Sequence, residues 1–199
     1  MSSARAVVLV EGVSDQLALA ALARRRGRDL DAEGISVVAM GGAQAIGVFL
    51  GALGPRGLGV ELAGLCDAGE AGHFRRALER AGFGTNLTRS RMESLGFYVC
   101  VADLEDELIR ALGASAVERV IDAQGDLGPF RTFQRQPAWR GRPTEEQLRR
   151  FIGTHSGRKI QSAALLVEAL DLARVPPPLD GLLAHLQTTG PPGARPGGP

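Results

Sequence analysis

The sequence contains little lysine, little cysteine and no long apolar segment. Lys159 is the only lysine, so all the other basic side chains are arginine. The two cysteines, Cys66 and Cys100, lie in apolar strand-like segments and are predicted to be buried thiols in a reducing cytoplasm. No uninterrupted apolar segment approaches the ~20 residues of a membrane-spanning helix, and the residues before the first predicted strand leave no room for a signal peptide. These absences predict a cytoplasmic protein that does not associate with membranes.

Several catalytic motifs are missing as well. The cysteines and histidines lack the spacing of zinc ligands, and no Ser–His–acid set can be assembled. His73, His155 and His185 are scattered and are interpreted as surface or capping residues. No Gly-x-x-x-x-Gly-Lys-Ser/Thr phosphate loop occurs, so we do not expect the chain to hydrolyse ATP by itself. Because the net charge is only +1, any nucleic-acid-binding patch must be local.

The hydrophobic pattern of the first half predicts an α/β fold. For 199 residues, the default expectation is one domain with an added C-terminal part. Short apolar runs at residues 6–10, 35–40, 60–66 and 97–101 predict strands, and helical patterns separate them. This alternation is typical of a parallel sheet with helical crossovers. Ser14 is predicted to cap the first helix, and residues 85–95 are predicted to be a polar loop.

The pattern changes after residue 112. Residues 114–124 predict a helix, and residues 125–139 predict an irregular segment because Gly-Pro and Gln-Pro pairs interrupt it. A capping box at residues 144–147 predicts the start of another helix, and a further helix is predicted from Ser156 to the prolines at 176–178. A short helix over 179–186 follows, and the Gly- and Pro-rich residues 188–199 predict disorder. The predicted units are therefore an α/β core (1–113), a helical extension carrying Lys159 (114–187) and a disordered tail (188–199).

Acidic residues follow three of the four predicted strands. They are Glu11 and Asp15 after the first strand, Asp67 and Glu70 after the third, and Asp103 and Glu105 after the fourth. The carboxyl ends of parallel strands meet at one edge of a sheet, where α/β proteins build their sites. Carboxylates suit Mg²⁺, which stabilises the attacking and leaving oxygens in phosphoryl transfer. The alternative is a set of solvated acids at ordinary strand–helix turns.

Short motifs at these positions carry a family resemblance. Three of them follow successive strands: Glu11-Gly12, Gly41-Gly42 and Leu65-Cys66-Asp67-Ala68-Gly69-Glu70. In this order they resemble the TOPRIM domain of topoisomerases, primases and related nucleases. The chain is more similar still to the TOPRIM half of the OLD (overcoming lysogenization defect) nucleases, at Val10-Glu11-Gly12-Val13-Ser14-Asp15, Asp103-Leu104-Glu105 and Gly157-Arg158-Lys159. The resemblance covers residues 6–186 and implies a Rossmann-like TOPRIM domain, with a central parallel sheet flanked by helices, plus a C-terminal helical extension.

The resemblance also implies a Mg²⁺- or Mn²⁺-dependent endonuclease that nicks DNA. It makes Glu11 a metal ligand or acid–base group, assisted by Asp15, and places Lys159 near the scissile phosphate. The implied metal ligands are Glu11, Asp67, Asp103 and Glu105, with Glu70 as a possible substitute for a missing acid. That acid is the second of the family's Asp-x-Asp pair, which is replaced here by Gly69. Weaker metal binding, one ion instead of two, and lost catalysis all remain open.

A basic segment follows the acidic motifs in the chain. Its predicted nucleic-acid contacts are Arg131, Arg135, Arg140, Arg149 and Arg158, which have few acidic residues beside them in the sequence. Phe130, Phe133 and Trp139 are interleaved with them, a combination that suits exposed bases. The alternative is a solvated helix face with Phe133 and Trp139 packed in a small second core.

Three functions are therefore carried forward. The first is Mg²⁺-dependent cleavage of DNA, with RNA not excluded as a substrate. The second is an impaired TOPRIM module that binds nucleic acid or regulates, working with a separate ATPase subunit, because OLD-type nucleases carry an ATPase module. The third is a nucleotide phosphotransferase or hydrolase. Oligomerisation is possible in each case.

Overall fold

A four-stranded parallel sheet forms the centre of the fold. The computed structural model describes residues 4–154 and 156–188. Within these ranges the strands are β1 (Ala6–Val10), β2 (Ile35–Ala39), β3 (Glu61–Cys66) and β4 (Phe97–Val99), in the order β2-β1-β3-β4. All three strand pairs are parallel, and every residue of β1 is buried. The predicted α/β class and parallel sheet are thus confirmed.

Helices cover both faces of this sheet. In the described ranges they are α1 (Val13–Arg25), α2 (Ile46–Leu53), α3 (Ala71–Ala81), α4 (Arg89–Ser94), α5 (Leu104–Leu112), α6 (Ala114–Ala123), α7 (Leu127–Gln134), α8 (Thr144–Gly153), α9 (Ser156–Ala169) and α10 (Pro177–Thr188). None of them is long and apolar enough to cross a membrane.

The side chains of β1 alternate between two hydrophobic cores because successive residues of a strand point to opposite faces. Val8 and Val10 belong to a core shared with α1 and with helices α5 to α10. Val7 and Leu9 belong to the other core, which is shared with α2, α3 and α4. The helices after residue 113 therefore pack on the same core as α1. This packing brings Lys159, far along the chain, to the edge where β1 ends.

Two segments predicted to be irregular contain helices. In the predicted loop 85–95, Thr88 accepts a hydrogen bond from the N–H of Arg91 and caps α4, whose Met92 is buried. In the predicted irregular segment 125–139, α7 carries the fully buried Phe130. Each helix is short, so burial of an apolar side chain, rather than intrinsic propensity, stabilises it.

Several predicted element ends are also corrected. The expected capping box does not form, because Pro143 is the N-cap of α8 and makes no side-chain cap. The prolines at 176–178 do not end a helix: α9 ends at Ala169, and Pro177 begins α10, since proline fits the first turn of a helix. The fourth strand ends at Val99 rather than at residue 101.

Some predictions fall outside the described residues. They are the assignment of His155 as a surface or capping residue and the disorder of residues 189–199. Thr188, predicted to begin the disordered tail, is instead the last residue of α10. Both cysteines are free and buried, as predicted.

Candidate active site

Glu11 and Asp67 meet at the switch point of the sheet. The chain leaves β1 towards β2 on one side, while β3 lies on the other side of β1. Glu11 follows β1 and Asp67 follows β3, and the N–H of Asp67 donates a hydrogen bond of 2.9 Å to Oε1 of Glu11. Crevices at such switch points are the usual ligand sites of open α/β sheets. The sequence-predicted convergence of these two acids is therefore present.

Asp15 joins this pair from the first turn of α1. Gly12 is the N-cap, and its N–H donates a hydrogen bond of 2.8 Å to Oδ2 of Asp15. Ser14 was predicted to be the cap, but it lies inside the helix, and its side chain is not the capping group. Asp15 is 8% exposed, so its carboxylate is held in a fixed position beside Glu11.

Asp67 is followed by the position of the missing family acid. Residues Ala68–Glu70 form a short 3-10 turn, and Gly69 is exposed. A Cβ atom built on Gly69 would have no heavy atom within 4 Å, so a larger side chain fits there. Glu70 lies close enough to Glu11 for its charge to raise the pKa of the Glu11 carboxyl.

Burial and mutual repulsion make this group of acids hard to ionise. Burial, followed by the nearby carboxylates of Glu11, Asp15 and Asp103, raises the pKa of Asp67 to about 7. Burial is also the main cause that raises the pKa of Glu11 and of Asp15. Among the described residues, neither these three acids nor Glu70 takes part in an ion pair. A cation from outside the chain would relieve this repulsion.

Asp103 is engaged through both carboxylate oxygens. It caps α5 by accepting a hydrogen bond of 2.8 Å from the N–H of Asp106 at Oδ1. Its Oδ2 accepts from Arg149 of α8, with a contact of 2.6 Å from Nη2 and one of 2.7 Å from Nε. Asp103 thus links the start of α5 to α8.

Glu105 is paired with the lone lysine. Its Oε2 lies 3.1 Å from Nζ of Lys159, and its side chain is 6% exposed. Burial raises the pKa of Glu105 more strongly than the ammonium of Lys159 lowers it. Burial lowers the pKa of Lys159, but Glu105, with Asp15 and Asp67, raises it overall. Lys159 is therefore charged, and its charge acts on Asp15 and Asp67 as well as on Glu105.

The side chains at this edge of the sheet have suitable chemistry for a metal ion, but the described residues do not form a ready-made metal site. Hard carboxylate oxygens are the ligands that Mg²⁺ and Mn²⁺ prefer, and Glu11, Asp67 and Glu70 offer them without a competing ion pair. In the part of the chain that the structure describes, no three His, Cys, Asp or Glu side chains stand close enough together to hold a metal ion. These carboxylates are suitable ligands for Mg²⁺ or Mn²⁺, but their oxygens would have to move closer together to bind one ion.

Three of the five predicted nucleic-acid-binding arginines form ion pairs within the chain. Arg131 pairs with Glu118, Arg158 pairs with Asp126, and Arg149 pairs with Asp103. These partners lie 13 to 46 residues away in the chain, so the few acids beside the arginines in the sequence did not indicate them. Arg135 and Arg140 are exposed. The aromatic residues do not form a second core, because Phe130 and Phe133 pack on the core of α1 and α9.

A cleft between α5 and α8 brings together residues that the sequence pattern did not group. It measures about 690 Å³ and is lined by Asp103, Glu105, Asp106, Trp139, Arg142, Glu146, Arg149, Arg150, Gly153 and Lys159. We refer to it as the α5–α8 cleft. The residues at 142, 146, 149, 150 and 153 recur at helical spacing, and this signal could have grouped them before the structure was known.

Comparisons with known proteins agree with this fold. The family model described as "Overcoming lysogenization defect protein-like, TOPRIM domain" matches residues 4–68. The C-terminal region of the Xanthomonas campestris pv. campestris OLD protein superposes with a TM-score of 0.73 at 24% identity, covering 93% of each chain. The C-terminal region of the Burkholderia pseudomallei OLD protein gives a TM-score of 0.71 at 21% identity, covering 93% of this chain and 98% of that one. No curated protein matches the chain. Residues 4–68 therefore carry an OLD-like TOPRIM domain, within a chain that has the fold of OLD protein C-terminal regions.

Proposed function

We propose that this chain is a metal-dependent endonuclease module that nicks DNA with Mg²⁺ or Mn²⁺. The OLD-like TOPRIM match supports a nucleic-acid-related module of the kind found in nucleases and primases. The observation that carries the proposal is the group of Glu11, Asp15 and Asp67 at the sheet's switch point, where the pKa of Asp67 is raised to about 7. A solvated set of acids at ordinary turns would not be buried against one another in this way.

In this proposal Glu11 and Asp67 would hold the metal, and Glu70 would supply a further oxygen. Asp15 positions the turn before α1 through its hydrogen bond to the N–H of Gly12. A bound metal would stabilise the charge on the attacking and leaving oxygens of the phosphodiester. Lys159 places a positive charge beside the same acids, where it neutralises charge that develops on the phosphate.

A plasmid-nicking assay tests the proposal. Wild-type protein should convert supercoiled plasmid to the nicked form when Mg²⁺ or Mn²⁺ is present, and chelation should stop the reaction. Glu11→Gln keeps the size of the side chain but removes its charge, and it should abolish nicking. Asp122→Asn, a charge change at an exposed position on α6, is the control and should nick like wild type. Equal nicking by Glu11→Gln and the control would refute the proposed site.

Gly69 supports a second candidate, an impaired TOPRIM module that binds nucleic acid for a separate ATPase subunit. The turn has room for a side chain at this position, so steric exclusion does not explain the missing acid. Gly69→Asp should then increase metal affinity and nicking, and Gly69→Asn controls for size without charge. A gain with Asp alone shows that the natural chain is impaired at this position. No gain, together with wild-type nicking, rejects impairment.

A further inference from the structure

We propose that the α5–α8 cleft binds one strand of the nucleic acid next to the acids. The proposal deepens the proposed function and rests on it. It assigns the phosphates to the α8 side of the cleft and one base to the stack that the Arg142 guanidinium forms on the ring of Trp139. The substrate class is therefore a single-stranded segment, such as a flap, a gap or a locally opened duplex.

The two sides of the cleft carry opposite charges. The α5 side presents Asp103, Glu105 and Asp106, of which the first two belong to the candidate active site. Each of these acids is already paired within the protein, with Arg149, Lys159 and Arg110, respectively. The paired acids repel an incoming phosphate less than free carboxylates would. A strand can therefore lie beside the acids without being expelled from the cleft.

The α8 side offers arginines that a phosphate can reach. Arg150 is exposed, and among the described residues no acidic side chain pairs with it. Arg142 is also exposed, and its only described ion pair is a long contact of 3.7 Å with Glu146. Exposed pairs of this kind contribute little to stability, so exchanging a carboxylate for a phosphate costs little. Nε of Arg142 also donates a hydrogen bond of 3.0 Å to the carbonyl oxygen of Ala138, so Arg150 is the main phosphate ligand of the cleft and Arg142 offers only its Nη groups.

Trp139 provides an aromatic platform at the same cleft. Its ring stacks on Phe133, with centroids 5.1 Å apart and an interplanar angle of 28°. The guanidinium of Arg142 lies 5.0 Å from the centroid of the Trp139 ring. Stacked aromatic and guanidinium planes are the surfaces on which proteins hold unpaired bases. The platform is rigid because Phe133 packs on the main hydrophobic core.

The size of the cleft selects the form of the nucleic acid. Its volume of about 690 Å³ lies within the ~300–1,000 Å³ range of small-ligand sites. Such a space matches one or two nucleotides of an extended strand. Since Lys159 and Glu105 also line it, a bound strand continues directly to the candidate active site.

Fluorescence anisotropy with labelled oligothymidine, measured in EDTA, tests binding apart from cleavage. Arg150→Ala should weaken binding about 10-fold and lower the salt dependence by about 0.7 in log–log slope. Arg80→Ala is the matched control, since Arg80 is also exposed in the last turn of its helix, on the opposite face of the sheet. Trp139→Ala should weaken binding about 5- to 150-fold, and Trp139→Phe should weaken it less.

The outcomes separate this inference from the proposed function. Equal affinity of the Arg150→Ala and Arg80→Ala variants overturns the inference, as does tighter binding of a duplex than of oligothymidine. Displacement of oligothymidine by thymidine monophosphate at comparable concentration also overturns it, in favour of a small-nucleotide site. Strand binding that depends on Arg150 without nicking in Mg²⁺ supports the cleft and refutes the nuclease. Nicking in Mg²⁺, with no effect of Arg150→Ala on strand binding, supports the nuclease and refutes the cleft.

Discussion

The acids at the carboxyl edge of the sheet form two groups with different surroundings. The strand-end group, Glu11, Asp15 and Asp67, is half-buried or buried and has no ion-pair partner among the described residues. The α5 group, Asp103 and Glu105, is paired with Arg149 of α8 and Lys159 of α9. The two groups are close enough that Asp103 raises the pKa of Asp67.

This difference shows that the carboxylates at this edge have two roles. The helices after residue 113 supply the cations of the α5 group, so those acids fasten the helical part to the sheet. The strand-end group receives only more distant positive charge, from Lys159 on all three acids and from Arg149 on Asp67, so its repulsion remains for a ligand to relieve. Four measurements can break or sharpen this comparison.

The largest expected effect is on cleavage. Asp67→Asn should reduce Mg²⁺-dependent nicking by about 100-fold or more, because it removes a charge that no other group replaces. Asp103→Asn should reduce nicking by about 10-fold or less, because this acid acts through Arg149. The two rates are compared at saturating Mg²⁺ in the plasmid assay. Equal losses in both variants would remove the distinction between the groups.

The second effect is on stability. Lys159→Met leaves the buried Glu105 without its partner and should lower the free energy of unfolding by about 1–3 kcal/mol, less than for a fully buried pair because Lys159 is 34% exposed. The double variant Lys159→Met/Glu105→Gln should recover part of that loss, since the uncompensated charge is removed. Urea unfolding at neutral pH measures both. A double variant that is no more stable than Lys159→Met would show that the pair is not the cause.

The third effect is on the pH dependence of stability. The pKa of Asp67 is raised from 3.8 to about 7, so the folded state binds more protons than the unfolded state between those values. Stability should therefore fall as pH rises through this window and level off above it. In Asp67→Asn the decrease of Tm across this pH window should be smaller by about 2–4 °C, the shift that ~1 kcal/mol produces in a chain of this size. Thermal unfolding across the window checks the slope, and an unchanged slope in Asp67→Asn would contradict the assignment.

The smallest effect concerns the exposed pair of the α5 group. Arg149→Ala should lower stability by about 0–1 kcal/mol, because its side chain is 45% exposed and that of Asp103 is 19% exposed. Arg131→Ala is a close match, with 46% exposure of the arginine and 23% of its partner Glu118. Urea unfolding of the two variants should give similar losses. A much larger loss for Arg149→Ala would show that this pair is a main fastening of α8.

The strands were predictable from the sequence because segments such as β1 and β3 are short, continuous apolar runs. Such runs are typical of strands that are buried on both faces of a parallel sheet. Helices α4 and α7 were missed because each depends on one buried side chain, Met92 or Phe130, whose burial is decided by distant residues. The cap of α1 was misassigned for a similar reason. The hydrogen bond from the N–H of Gly12 to Asp15 is a local alternative that the sequence pattern does not rank above a Ser14 cap.

For the candidate site, the sequence placed acids after strand ends, and parallel pairing then brought Glu11 and Asp67 together. It did not reveal the partners of the acids. Arg149 is 46 residues from Asp103 in the chain, and nothing local connects them. The cleft beside them was missed in the same way, because Trp139 and Arg150 precede and follow the start of α8 and meet α5 only in the folded chain.

The sequence by itself determined the parallel sheet and the row of carboxylates along its edge, since strand burial and strand direction follow from local hydrophobic pattern. Only the tertiary structure decided which carboxylates keep their charge uncompensated, because the cations come from helices that dock through a shared core. If removing the charge of Glu11 or Asp67 changed neither metal binding nor cleavage, the distinction between the strand-end group and the α5 group would have no functional meaning.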